Sequence, residues 1–358
     1  MARLSALAAR WDRLADANLG VRFLDANLRG ASQVVLQNNP VSGLLILIAI
    51  GWGALRSPTP AVFPGAVVGL VVGTTVALLL RVPQSSWRQG LYGFSPLLTG
   101  AALPTFLANR PTLWVCLVVA AAITTVVSLA LANVLKTWGV PALTFPFVLT
   151  TWFVLAAAYQ LSQLRIGALT GPALPAQAPA AAASLDAGGW VVGVLKGLAQ
   201  VFLIDNGVSG ALILVALLVS SRWSAALALL GSVLAAAFAV WLGVAGADVG
   251  KGLWEFNAVL TAIALGSVLN HPSVPVLIYT LLGIAATVFV QGALTSMLGP
   301  SGIPVLTAPF VVTTWLFALP KPRLTPIAQH QRLVDGLLSE LRDPLRHAGG
   351  RQRKDEQT

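Results

Sequence analysis

Charge is what this sequence has least of. Asp, Glu, Lys and Arg make up 9% of its 358 residues, against about 25% in a soluble domain. With 56% hydrophobic residues and a mean hydropathy of +0.81, this excludes a soluble globular chain and leaves an integral membrane protein. There is one cysteine, Cys116, which excludes a disulfide framework within the chain and a multi-cysteine metal site. It lies in an apolar run and reads as a packing residue. The three histidines, His271, His330 and His347, fall in a loop or in the C-terminal tail, so the membrane interior has no histidine relay or haem ligand pair. Acidic groups are as scarce there: only Asp205 and Glu255 come near it, both close to the ends of apolar segments. Each reads equally as the cap of a short helix, where the dipole favours a carboxylate, or as a group facing solute. An ion-driven pump needs buried ionisable groups that bind and release the ion. The expectation is therefore a passive path for a neutral solute. An intramembrane enzyme, which needs a nucleophile–base pair or a metal cluster, has the least support.

The net charge of +10 does not point to nucleic acid, because the basic residues collect in the two tails and in alternate loops, as membrane orientation requires. Apolar segments run over roughly 42–55, 61–80, 91–107, 113–135 and 143–159, then 208–220, 224–243, 254–268, 273–297 and 306–319. With both tails in the cytoplasm, ten spans put 17 of the 22 Lys and Arg residues on the cytoplasmic side and 5 on the other.

What the chain does have is duplication. The run Leu143-Thr144-Phe145-Pro146-Phe147-Val148-Leu149-Thr150-Thr151-Trp152 returns 163 residues later as Leu306-Thr307-Ala308-Pro309-Phe310-Val311-Val312-Thr313-Thr314-Trp315. The segment from Leu28 to Gly43, with Gln33, Asn39 and Ser42, is echoed 167 residues on from Leu195 to Gly210, with Gln200, Asn206 and Ser209. Gly90-Leu91-Tyr92-Gly93-Phe94-Ser95-Pro96-Leu97-Leu98-Thr99 is echoed 162 residues on by Gly252-Leu253-Trp254-Glu255-Phe256-Asn257-Ala258-Val259-Leu260-Thr261. A period this long is a duplicated domain half. Five spans is an odd number, so the second half enters the membrane upside down, the inverted-repeat plan whose substrate sites lie near the midplane. The segments Leu28–Gly43 and Leu195–Gly210 are each too short and polar to cross about 30 Å of hydrocarbon, and read as half-spanning re-entrant helices. In the Leu-Thr-x-Pro runs, a proline inside an apolar segment frees a backbone carbonyl that must find a partner. The threonine hydroxyl is expected either to serve that carbonyl or to face a passing solute.

The predicted fold is thus an all-α integral membrane protein with ten transmembrane helices and two half-spanning helices in two inverted repeats. Residues 1–27 form a basic, amphipathic cytoplasmic segment, 28–165 one repeat, 166–188 a Gly/Pro/Ala-rich linker, 189–319 the second repeat, and 320–358 a cytoplasmic tail with a short amphipathic helix. The duplicated polar groups are amides and hydroxyls, and the duplicated bulky groups are Phe94 with Phe256 and Leu98 with Leu260. Phe and Leu four apart share a helix face, so one such wall from each half would make a flat slot suited to a small planar solute with N–H donors. Trp152 and Trp315 read as anchoring or packing residues.

The paired Leu-Thr-x-Pro-Phe, Gly-Leu-Tyr/Trp-x-Phe-x-x-x-Leu and Gln-Val-containing segments, in register in both halves from about residue 28 to 319, resemble the urea transporter family. The resemblance implies a channel-like, passive facilitator of urea with no cofactor. It further implies a homotrimer of protomers that each hold a pore, in a cell membrane (for a bacterial chain the inner one), with lipid and urea as partners. By motif position, Gln33 and Gln200 would sit at the two mouths and bond urea. Leu36, Val201, Phe94, Leu98, Phe256 and Leu260 would form the apolar slot, and Thr144 and Thr307 its middle. Family relatives can carry a carboxylate where Gln200 stands and an aromatic where Leu36 stands. A facilitator for another small neutral solute, a short amide or water, fits the same pattern.

Overall fold

The computed structural model describes residues 2–176, 185–320 and 324, with side-chain surroundings from residue 10 onward. The described elements are helices, in the order α1 Ala2–Ala17, α2 Leu19–Gln33, α3 Pro40–Ala54, α4 Val62–Leu79, α5 Gln84–Trp87, α6 Phe94–Phe106, α7 Pro111–Lys136, α8 Phe145–Ala158, α9 Ala187–Gln200, α10 Gly207–Ser220, α11 Arg222–Trp241, α12 Gly246–Val249, α13 Phe256–Ile263, α14 Val274–Leu298 and α15 Ala308–Ala318. All ten expected apolar segments are helical. The four longest, α4, α7, α11 and α14, are long and apolar enough to cross a membrane, while α3, α8, α10, α15 and α13 with the π turn that continues it are shorter apolar helices. Cys116 packs with the apolar residues between α7 and α8, as expected. The C-terminal amphipathic helix expected beyond 320 lies outside the described residues.

Polar residues set the helix starts. Asn18 caps α2 by accepting from the Gly20 and Val21 amides, Asn39 caps α3 from Val41 and Ser42, and Asn206 caps α10 from Ser209. Each satisfies amides that the first turn of a helix leaves without a partner. The Asn18 cap also places the start of α2 at Leu19, so the segment expected to end at 27 runs on into it. α2 has 15 residues and α9 has 14, and at 1.5 Å per residue both fall short of the ~30 Å hydrocarbon core.

One sequence expectation is corrected here. Pro146 and Pro309 do not interrupt apolar helices. They open them, at the second positions of α8 and α15, where an absent N–H costs nothing because no partner exists for it. The residues that break the path of the chain are Leu143 and Leu306, at φ +52° and +53°. A left-handed backbone costs a leucine about 1–2 kcal/mol, so packing must hold it.

That strain recurs in pairs. The ten positive-φ residues among those described are Leu36 with Leu203, Arg81 with Gly243, Gly90 with Gly252, Gly139 with Gly302, and Leu143 with Leu306, at the spacings of the sequence repeat. Contacts between the halves pair as well. The Ser42 hydroxyl donates to the Ala216 carbonyl at 2.6 Å and Ser209 to Ala49 at 2.7 Å. The Trp152 indole donates to Pro304 at 2.8 Å and Trp315 to Pro141 at 2.9 Å. The two tryptophans thus tie the halves together, in keeping with the packing role expected of them. One of the buried apolar clusters draws side chains from both halves, among them Leu98, Leu143 and Phe147 with Leu260, Leu306 and Phe310.

Candidate functional site

The ends of α2 and α9 are built alike. The Leu36 amide donates to Gln33 and the Gln37 amide to Ser32; likewise Leu203 donates to Gln200 and Ile204 to Ala199. This is the pair of bonds that closes a helix on a left-handed residue, a position usually given to glycine and here held by Leu36 (φ +60°) and Leu203 (φ +59°). The chain then turns back so that the next helix lies against the one just ended. The fit at that return is too close for any side chain: a Cβ on Gly43 would stand 1.7 Å from the Leu28 carbonyl oxygen, and one on Gly210 1.8 Å from that of Leu195.

Gln33 and Gln200 are the last residues of those helices. The Gln33 Nε2 donates to the Gln89 carbonyl at 2.9 Å, and the Gln200 Nε2 donates to the Lys251 carbonyl at 3.0 Å. Gln89 and Lys251 each precede a left-handed glycine, Gly90 and Gly252, whose loops lie on the backbone of Gly30 and Gly197. With the N–H fixed in this way, each amide turns its Oε1 acceptor away from the anchoring carbonyl. Both glutamines are partly exposed, so these acceptors stand at the margin of the molecule's interior.

At the centre, the two copies of the long motif meet. Thr144 and Thr307 occupy the N-cap positions of α8 and α15 but make no capping bond. Their hydroxyl oxygens lie 2.7 Å apart, and the residues are 1% and 2% exposed. No solute fits between two oxygens at hydrogen-bond distance, so any polar path passes beside the pair, where each oxygen still has lone-pair capacity. Phe94 and Leu98 on α6, and Phe256 and Leu260 on α13, pack into the core shared by both halves, with the phenylalanines partly exposed and the leucines fully buried.

A cavity of about 820 Å³ links part of this set. Gln200, Val201, Phe256 and Thr307 line it, together with Leu203 and Phe147. It therefore touches both the second glutamine and Thr307. Gln33, Leu36, Phe94, Leu98, Leu260 and Thr144 are not on that lining.

Three residues join the site that the sequence reading did not name. Leu203, not Val201, is the counterpart of Leu36, a match available from the 167-residue register and made visible by the shared positive φ. Asn257 and Gln291 hold the start of α15. The Asn257 amide donates to Gln291 at 2.7 Å and to the Leu306 carbonyl at 3.1 Å, and its oxygen accepts the Phe310 amide at 3.1 Å. They thereby fix the segment that carries Thr307. The signal in the sequence was an amide in an apolar span, weak alone because its partner is 34 residues away.

The two acidic residues part company. Asp205 does not cap α10, a role Asn206 fills; it pairs with Lys196 at 2.7 Å and lines the cavity. Glu255 is fully buried just before α13 and makes no capping bond into it; its Oε2 accepts the Trp254 amide at 2.9 Å.

Comparison with known proteins gives the family. Residues 24–322 match the family described as urea transporter. Among curated proteins, the chain is 30% identical over 314 residues to Urea transporter 1 of Rattus norvegicus and 29% identical over 314 residues to Urea transporter 1 of Ovis aries. Each alignment covers 87% of this chain and 80% of the relative. The match takes in both copies of every motif described above and both halves of the threonine contact, and this chain belongs to the urea transporter family.

Proposed function

We propose that this protein conducts urea passively down its gradient, along a path between two inverted halves that together make ten spans and two half-spanning helices. The observation that carries this reading is the 2.7 Å contact of Thr144 with Thr307. It sets paired hydroxyls at the junction of the halves, while each glutamine has one of its two side-chain N–H groups held by a loop carbonyl. The acceptors open to a solute are a Gln Oε1 at each mouth and hydroxyl lone pairs in the middle. Urea is planar and carries N–H donors at its edges, so acceptors flanking an apolar slot of Phe94, Leu98, Phe256 and Leu260 suit it. Leu36, with Leu203 and Val201, completes the walls. Few ionisable groups lie within the spans, in keeping with a path that needs no ion gradient. The arrangement is taken to be a homotrimer of independent pores, in a cell membrane with both tails cytoplasmic, the bacterial inner membrane being the expected site.

The test is urea flux in proteoliposomes without an ion gradient, followed by stopped-flow light scattering, with acetamide and glycerol as comparison solutes. Urea flux well above that of empty liposomes is expected. Flux equal to empty liposomes, or a clear preference for acetamide or glycerol, would overturn the reading in favour of another small neutral solute.

A further inference from the structure

The two mouths are alike in backbone and unlike in charge. At the second, the cation of Lys196 is met by Asp205 at 2.7 Å. In the first half the corresponding positions are Arg29 and Asn38. Arg29 still reaches across, its Nη1 donating to the Asn38 side-chain oxygen at 3.0 Å, but a neutral amide cannot balance the guanidinium. The missing negative charge comes from elsewhere. Asp25 on α2, fully buried, accepts Arg29 Nε at 2.9 Å, and Asp12 on α1 accepts Arg29 Nη2 at 3.1 Å.

The same helix grips the loop that anchors Gln33. Arg88 pairs with Asp16 of α1 and lies 3.9 Å from the Asp25 carboxylate, and the next residue, Gln89, supplies the carbonyl that holds the Gln33 amide. Trp11 of α1 donates its indole N–H to Asp25 at 2.7 Å. α1 is thereby fastened to the end of α2, and through Arg29 and Arg88 to the 38–39 turn and the 88–90 loop, which are the three pieces of backbone around Gln33. The second half has Val192 where Asp25 stands and Gly250 where Arg88 stands, and among the described residues it shows no equivalent fastening.

We propose that α1 is a working part of the first mouth, with Asp12 and Asp16 acting as positioning residues that hold the Gln33 acceptor in place through Arg29, Arg88 and Gln89. This rests on the reading of Gln33 as a urea-binding group. Without α1, the anchoring loop keeps its backbone but loses the charges that steady it. The Gln33 amide then samples orientations in which its oxygen does not face the path.

The experiment is a double-mutant cycle read by urea permeability in proteoliposomes. Asp12 and Asp16 have side chains 51% and 59% exposed, so D12N/D16N leaves the buried core untouched. A fall of about two- to fivefold is expected for D12N/D16N, the range that exposed ion pairs support. Gln33→Ala should fall at least as far, and the combination no further than Gln33→Ala alone. D12E/D16E keeps the charges and should transport as the parent does, while Arg88→Gln, which cuts the link from the loop side, should repeat the loss. A D12N/D16N protein with parental flux, or a loss of equal size in the Gln33→Ala background, would overturn the proposal. If Gln33→Ala itself transports at the parental rate, the binding role of Gln33 fails first and the proposal with it.

Discussion

Replacing the central threonines separates their part in stability from their part in conduction. Valine matches threonine in shape and removes only the hydroxyl. In Thr144→Val, the Thr307 oxygen loses its 2.7 Å partner in a site 2% exposed. A buried polar group left unpaired costs about 1–3 kcal/mol. In the double variant neither hydroxyl remains, so no orphan is made, and a pair replaced by apolar groups of the same shape is close to neutral. The stability of the double variant should therefore lie above that of either single one. Conduction should go the other way. On the proposed path, each hydroxyl lost removes an acceptor for urea, worth about 1 kcal/mol net. At 1.36 kcal/mol per factor of ten, that slows flux roughly fivefold for one valine and roughly thirtyfold for two. Thermal unfolding in detergent and stopped-flow urea flux in liposomes, run on the same four proteins, give both numbers. A double variant that conducts at the parental rate would refute the placement of these hydroxyls on the path. A double variant less stable than both singles would refute the account of their pairing.

Two further outcomes follow from packing and polar satisfaction. Gly43→Ala would put a Cβ 1.7 Å from the Leu28 carbonyl oxygen; backbone cannot yield that far, and the variant should be lost from the folded, membrane-extracted fraction on size-exclusion chromatography. Asn257→Ala strips partners from Gln291, the Leu306 carbonyl and the Phe310 amide; a loss of about 2–4 kcal/mol is expected for a buried network broken at its centre. It should lower the melting temperature and the urea flux together.

The ten apolar segments, the duplicated segments around Gln33 and Gln200, and the choice of threonine and glutamine as functional candidates could all be read from the sequence; that a helix ends at each glutamine could not. The reason is that hydropathy and duplication are local, linear signals: each residue of Thr144-Phe145-Pro146 finds its match by counting alone. Proline misled for the same reason, since Pro146 in an apolar run looks the same whether it breaks a helix or opens one. The difference lies in Leu143, whose left-handed backbone no residue preference would place there.

The sequence by itself determined the membrane class, the repeat and the scarcity of charge, because these depend on composition and on order along the chain. Only the tertiary structure decided that Thr144 and Thr307 touch, that Gln33 and Gln200 each have an N–H held by a loop carbonyl, and that Asp25 of α2 and Asp12 of α1 meet the Arg29 guanidinium. Those contacts join residues up to 163 positions apart. Their partners are often backbone carbonyls, which every residue carries, so nothing in the identity of Gln89 or Lys251 announces the role that the fold gives them.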